Sequence, residues 1–370
     1  MDPTRCTAPR SASWNSPGTP EVAEASPDPH RLDTARLALW LERETGVRAA
    51  SLTAEKFPGG QSNPTYLLRV DELPRWVLRK KPPGVLLPSA HAVEREYRVM
   101  AALARSAVPV PRMVALCTDA DVVGTPFFLM QWVDGRTFWE MRLPGVPLAE
   151  RTAMYADMNR VIAALHALDP VALGLGDFGR QGGYFSRQIA RWTAQYRATE
   201  TERIEAMEQL IAWLPATLPP GLDQTCLVHG DFRIDNLIFH ATEPRVLAVI
   251  DWELSTLGHP LADLAYHLMS WRLPPEDFRG LAGVDLAALG IPGEQAYLQA
   301  YLERNTTPAL DPRAWEFAIA YNLFRVACIR QGVMKRALAG NASNAAALDA
   351  GRRARQTAEF AWQVACGASL

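Results

Sequence analysis

The chain is short of cysteine, of long apolar runs and of any charge excess. Its 370 residues include five cysteines, Cys6, Cys117, Cys226, Cys328 and Cys366, odd in number, widely scattered and without a C-x-x-C spacing. Neither a disulfide framework nor a thiolate zinc site is expected, and the thiols read as reduced and mostly buried. The formal net charge is −2 and the pI near 6.4. No basic field is therefore available to hold a nucleic-acid backbone or an anionic membrane surface. No apolar run approaches the roughly 20 residues that a membrane span needs, and the N-terminus lacks an apolar core behind its basic residues. The expectation is a cytoplasmic protein with neither nucleic acid nor membrane as partner. No internal repeat is visible.

What is present is ordinary globular usage, 48% hydrophobic and 21% charged, in a chain long enough for two lobes with separate cores. Residues 1–30 hold Pro3, Pro9, Pro17, Pro20, Pro27 and Pro29 among serines, and a disordered tail is expected there. From Asp33 the stretch "DTARLALWLERETG" reads as an amphipathic helix with Asp33 as N-cap and Gly46 as its stop. "TYLLRV" and "RWVLRK", joined by "DELP", suit a hairpin. "SAHAVEREYRVMAALARS" reads as a helix, and "VPVPRMVALCTD" and "PFFLMQWVDG" as strand regions. Residues 31–132 thus suggest a small, sheet-rich lobe. Residues 133–370 suggest a larger, mostly helical one, interrupted by the β-like pieces "TCLVH", "NLIFH" and "RVLAVID". The fold class expected is α+β, a mainly antiparallel N-terminal lobe and a helical C-terminal lobe, with the ligand between them.

The most informative stretch is "LVHGDFRIDNLIF", Leu227 to Phe239. A loop leaving one apolar strand and entering another can hold Asp231 and Asn236 rigidly, aimed at one point. An Asp followed five positions later by an Asn matches the catalytic loop of protein kinases. Phosphoryl transfer needs the pair because the carboxylate orients an incoming hydroxyl and accepts its proton, while the amide oxygen ligates Mg²⁺. "VLAVIDWE" then presents Asp251 at the end of a β-branched run, a second carboxylate for the metal. The plain alternative is Asp231 as a turn former after Gly230 and Asn236 as a local cap.

"FPGGQSNPTYLL", "VLRKKPPG", "HAVEREYRVM", "LVHGDFRIDNLIFH" and "VIDWELSTLGHPLADLAY" together resemble the aminoglycoside phosphotransferase and choline kinase superfamily. Within it they are most similar to the kinase-like domain of acyl-CoA dehydrogenase family members ten and eleven. The resemblance implies a bilobal protein-kinase-like fold and an ATP- and Mg²⁺-dependent small-molecule kinase. It implies Asp231 as catalytic base, with Asn236 and Asp251 on the metal. Gly59, Gly60, Ser62 and Asn63 would form the loop over the nucleotide phosphates. Strand alternation puts Val77 and Arg79 on one face and Leu78 and Lys80 on the other. Arg79 then takes the place of the usual phosphate-pairing lysine, with Lys80 or Lys81 as alternatives if the strand is shifted. Glu94 would hold that basic group, leaving Glu96 as a solvated neighbour. Gln131, Trp132 and Val133 would present backbone to adenine. His229 and Asp263 are read as structural, Asp263 as an acceptor for backbone N–H groups of the loop.

"GLGDFG", Gly174 to Gly179, contains a literal G-x-G-x-x-G and a literal D-F-G, but it follows a helical run and lies upstream of Asp231, so it reads as a plain loop. His259, Asp263 and His267 have helical spacing and read as buried or capping groups rather than a metal face. The resemblance further implies a hydroxy acid or hydroxyacyl-CoA as acceptor and a separate acyl-CoA dehydrogenase as partner. Arg187, Arg325 and Arg330 are candidate anion holders. An aminoglycoside or amino-alcohol kinase, and a catalytically silent nucleotide-binding module, are the alternatives.

Overall fold

Asp33 opens helix α1 (Thr34–Thr45) by accepting the amides of Ala35 and Arg36, and Gly46, at φ 68°, closes it in the left-handed conformation that glycine tolerates. The computed structural model describes residues 31–57, 63–83, 92–305, 310–340 and 347–367. The tail expected over residues 1–30 lies outside them.

After α1 come strands β1 (Leu52–Lys56), β2 (Thr65–Val70) and β3 (Leu73–Lys80). Asp71 and Glu72, at φ 49° and 69°, make the two-residue turn between β2 and β3, the backbone twist that antiparallel hairpins prefer. The Asp71 carboxylate also accepts the amides of Ala50 and Ser51. Helix α2 (Val93–Leu103), strand β4 (Met113–Cys117), the short helix α3 (Ala120–Val123) and strand β5 (Phe127–Gln131) complete the first half. The strands form one antiparallel sheet in the order β1-β2-β3-β5-β4. One face buries Tyr66, Leu68, Trp76, Leu78, Phe127 and Leu129 against Leu37, Trp40 and Leu41 of α1. The opposite face, with Val77, Phe128 and Met130, joins a second core that continues through α2 into the helical half.

That half contains α4 (Leu148–His166), α5 (Tyr184–Thr199), α6 (Glu205–Ala216), α7 (Pro260–Leu268), α8 (Leu286–Leu289), α9 (Glu294–Arg304), α10 (Pro312–Leu338) and α11 (Ala347–Ala365). Between α6 and α7 lie β6 (Cys226–Val228), β7 (Leu237–Phe239), β8 (Val246–Val249) and β9 (Thr256–Gly258). They pair as two small antiparallel ribbons, β6 with β9 and β7 with β8. Helix α10 is buried along most of its length, which is why its sequence is apolar on nearly every side. Its neighbours include α5, α7 and α11. The fold is the expected α+β arrangement, an antiparallel N-terminal sheet followed by a helical region. Among the described residues, no helix is long and apolar enough to cross a membrane.

Phe127 is fully buried, its ring edge-on to Trp40 with centroids 4.8 Å apart. Replacing it by alanine leaves a cavity beneath α1. Phe127→Ala is therefore expected to cost about 3–5 kcal/mol in urea or thermal unfolding, and a loss below about 1 kcal/mol would show that α1 does not depend on this contact.

Candidate active site

Strand β6 delivers the chain into His229-Gly230-Asp231, and two amides fix the turn that follows. His229 N–H and Gly230 N–H donate to the two carboxylate oxygens of Asp263, at 2.7 and 2.8 Å. Asp263 thus does what the sequence suggested, from the first turn of α7, where Pro260 takes a helix position that needs no N–H. Burial works to raise the Asp263 carboxyl, but His166, His229 and the loop amide hold it below its ordinary value. His166 bonds the same carboxylate through Nε2 at 3.1 Å, and its Nδ1 meets the Tyr301 hydroxyl at 2.8 Å. Gly230 sits at φ 82°, and a Cβ there would lie 2.7 Å from the Leu254 carbonyl oxygen. Only glycine fits.

A 3-10 turn over Ile234–Asn236 then brings Asn236 back beneath Asp231. Asn236 Nδ2 donates to the Asp231 carbonyl at 2.9 Å and to its Oδ2 at 3.1 Å. The other carboxylate oxygen, Oδ1, accepts the Tyr266 hydroxyl at 2.6 Å and lies 3.2 Å from Arg233 Nε. His229 accepts the Asp231 amide on Nδ1 and donates Nε2–H to the Ile250 carbonyl, which ties the turn to the end of β8 and fixes the ring tautomer. A second tie runs from Ile250 N–H to the Asn236 carbonyl at 2.9 Å. The next residue is Asp251. It is one of six described non-glycine residues with positive φ, at φ 65° and ψ 62°, a conformation aspartate tolerates better than most. Asp231, Asn236 and Asp251 are thus gathered by bonds within two short loops.

Arg79 reaches the same place from the sheet. Its Nε is 3.0 Å from Glu96, and its Nη2 donates to Asp251 Oδ1 at 2.7 Å and to Glu253 at 3.3 Å. Lys80, on the opposite face of β3, donates to the Val123 carbonyl, and Lys81 pairs with Glu94 at 2.7 Å. The strand is not shifted, and the basic group facing the loop is Arg79.

The expectation that Glu94 holds Arg79 is corrected: the partner is Glu96. Helix α2 begins at Val93, so Val93, Glu96, Val99, Met100 and Leu103 form its buried stripe, while Glu94 faces outward to Lys81. Glu96 is 1% exposed and also accepts Asn63 Nδ2 at 2.9 Å. Burial pushes its carboxyl up to about 7, against the pull of Arg79. Among the other predicted nucleotide-side residues, Gly59, Gly60 and Ser62 lie outside the described residues. At Gln131–Val133 the amides of Gln131 and Trp132 are taken by the carbonyls of Arg112 and Arg75, and the Trp132 ring stacks on Phe57.

Of the three predicted anion holders, only Arg325 approaches the loop. Its Nη2 donates to the Gly230 carbonyl at 2.8 Å, and its guanidinium lies over the Tyr266 ring. Arg187 bonds the carbonyls of Gly182 and Arg180, and Arg330 joins Asp277 and Thr357. The Gly174–Gly179 segment is a turn whose Phe178 is buried under Arg95. His259 caps α7 through Nδ1, and His267 is enclosed by Phe232, Trp271 and Tyr297, where burial lowers it to about 4. Among the described residues, no group of three His, Cys, Asp or Glu side chains is placed to hold a metal ion.

Sequence reasoning missed Glu96, Glu253, Arg233 and Tyr266. The stripe of α2 could have found Glu96. Tyr266 follows Asp263 by three residues, the helical spacing that puts both on one face toward the loop.

The sequence model of the phosphotransferase enzyme family matches residues 53–311, which include β2 to β5, the 229–236 turn and Asp251. Acyl-CoA dehydrogenase family member 10 of Mus musculus is 49% identical over 312 residues, 84% of this chain. The chain spans only 29% of that curated relative's length. A crystal structure from Ralstonia eutropha, assigned provisionally as an aminoglycoside phosphotransferase, superposes with a TM-score of 0.83 at 52% identity over 92% of this chain and all of that one. A ternary complex of a thermostable mutant of aminoglycoside phosphotransferase APH(4)-Ia with ADP and hygromycin B shares the fold, with a TM-score of 0.59 at 16% identity over 90% of this chain and 99% of that one. With 259 consecutive residues matched (311 − 53 + 1), and with the sheet and turn built as above, this chain belongs to the phosphotransferase enzyme family.

Proposed function

We propose that the chain transfers the γ-phosphoryl group of Mg-ATP to a hydroxyl of a small molecule, with Asp231 as the base. The observation that carries this reading is the gathering of Asp231, Asn236 and Asp251 by side-chain and backbone bonds, with Arg79 arriving from the sheet. Asp231 holds the acceptor hydroxyl and takes its proton as the acceptor oxygen bonds to phosphorus and the bond to the β-phosphate oxygen breaks; ADP leaves. Arg79 steadies the phosphates, and Glu96 keeps it in place. The backbone of Gln131–Val133 faces adenine, with the Val133 amide as the donor, because the other two close the sheet. A nucleotide is supported by the ADP found in the APH(4)-Ia complex.

The residues present suit a divalent ion. Asn236 uses its Nδ2 on Asp231, which directs its amide oxygen the other way, and Asp251 keeps a third of its side chain exposed. Amide and carboxylate oxygens are the hard donors that Mg²⁺ accepts alongside phosphate. A bound Mg²⁺ would neutralise phosphate charge.

For the acceptor, Arg233, Arg279 and Arg325 surround the turn, against the carboxylates of Asp231 and Asp235. Their guanidinium forks suit a carboxylate or phosphate group, which favours a hydroxy acid or a hydroxyacyl-CoA over an aminoglycoside or amino alcohol. The name of the mouse relative points the same way, and an acyl-CoA dehydrogenase is the partner proposed with it. A catalytically silent module has no need of Asp231, Asn236 and Asp251 together.

ADP formation and ³¹P NMR of products, run over hydroxy acids, their CoA thioesters, choline and aminoglycosides, test the reading. Asp231→Asn is expected to lower turnover by on the order of 10² to 10⁴ while ATP still binds; a variant with more than roughly half the wild-type rate contradicts the assignment. Glu96→Gln is expected to lower kcat/KM for ATP about tenfold or more, because it strips a buried partner from Arg79. Glu94→Gln should change it by less than about twofold, as partly exposed pairs do. Equal effects would refute the Arg79–Glu96 assignment.

A further inference from the structure

We infer that Tyr266 is a positioning residue for phosphoryl transfer, its hydroxyl holding the Asp231 carboxylate in the orientation that receives the acceptor proton. The inference rests on the reading of Asp231 as the base.

The geometry begins in α7. Asp263 and Tyr266 are three residues apart on this nine-residue helix and so face the loop together. Asp263 fixes the backbone of His229 and Gly230; Tyr266 fixes the side chain of the residue after them, through a 2.6 Å bond to Oδ1. A single rigid element thereby sets both where Asp231 sits and how its carboxylate is turned. The ring of Tyr266 is itself held. The Arg325 guanidinium lies 4.8 Å from its centroid while bonding the Gly230 carbonyl, and Phe278 meets it edge-on at 5.9 Å. Burial holds the phenol above its ordinary range, so the hydroxyl keeps its proton and acts as a donor.

The need for such a donor follows from Arg233. Its guanidinium lies between Asp231, at 3.2 Å, and Asp235, at 2.8 Å. A carboxylate free to rotate would turn its second oxygen toward Nη2 in competition with Asp235, the bidentate geometry guanidinium prefers. Both oxygens of Asp231 would then face Arg233 rather than an incoming hydroxyl. Tyr266 on Oδ1 and Asn236 on Oδ2 hold the carboxylate plane against that rotation.

The test uses the full chain with Mg-ATP, water as acceptor and ADP release as readout, alongside calorimetry with AMP-PNP. Tyr266→Phe keeps the ring and removes only the donor. It is expected to lower kcat about 10- to 100-fold, the loss typical of a bond to a charged group, with KM for ATP and AMP-PNP affinity within about twofold. In an Asp231→Asn background the same change is expected to alter the rate by less than about twofold, since a residue that acts through another adds nothing once the other is gone. Loss of AMP-PNP affinity, or a full additive effect in that background, would make Tyr266 a packing residue and overturn the inference. If Asp231→Asn is silent and Tyr266→Phe runs at the wild-type rate, the inference alone fails. If Asp231→Asn itself keeps its rate, the base reading fails first. Should Tyr266→Phe not fold, Arg325→Lys removes the flat cation from the ring but keeps a donor for Gly230. It should lower the rate about tenfold only when Asp231 is present, and a wild-type rate in that variant overturns the inference.

Discussion

The Asp263 carboxylate is the point on which the site depends. It is 2% exposed and meets three donors, two loop amides and His166 Nε2, whose other ring nitrogen is held by Tyr301. A carboxylate buried without such donors is unfavourable by several kcal/mol. With them it becomes rigid, because leaving any one donor unmatched costs the desolvation of that group. The turn at His229-Gly230 inherits that rigidity, and Gly230 is the residue that allows it, since the chain passes against the Leu254 carbonyl. Everything downstream is referred to this anchor. Asn236 is fixed to Asp231, Ile250 is fixed to Asn236, and Asp251 follows Ile250 in a strained backbone conformation that the neighbouring bonds impose.

A second consequence concerns the relation of the sheet to the helical half. Arg79 is buried among Glu96, Asp251 and Glu253, so one guanidinium joins α2 and β3 to the loop after β8. Burial alone would lower its pKa, but the three carboxylates outweigh that and raise it, so the group stays charged. A lysine would hold this position less well. Its ammonium is a point charge, whereas the guanidinium fork reaches Glu96 through Nε and Asp251 and Glu253 through Nη2. The same fork is also suited to phosphate.

Much of this was legible in the sequence where local rules decide. Asp33 and Gly46 bound α1 through cap chemistry, the hairpin fell where expected although its turn is the two residues Asp71-Glu72 rather than the four of "DELP", and strand alternation separated Arg79 from Lys80. The Asp231 to Asn236 spacing was readable because both ends lie on one short loop. Illegible features needed either a phase or a distant partner. Glu94 and Glu96 sit two residues apart, about 200° around a helix, and only the position of the core distinguishes them. Strand β9, three residues long, is too short to show alternation. Arg187 and Arg330 looked like anion holders until their partners, the Gly182 carbonyl and Asp277, were brought beside them by packing. Tyr266 is 35 residues from Asp231 in the chain, and its role exists only because α7 crosses under the loop.

The central claim is that Asn236 and Asp251 hold a divalent ion against the terminal phosphate of a nucleotide that faces Asp231. Crystals grown with Mn²⁺ and AMP-PNP, with data collected at the manganese edge, address it directly. The account predicts an anomalous peak in bonding contact with the Asn236 amide oxygen, the Asp251 carboxylate and a γ-phosphate oxygen, with the Asp231 carboxylate on the open side of the phosphorus. A peak bound by other side chains, or a γ-phosphate turned away from Asp231, would contradict it.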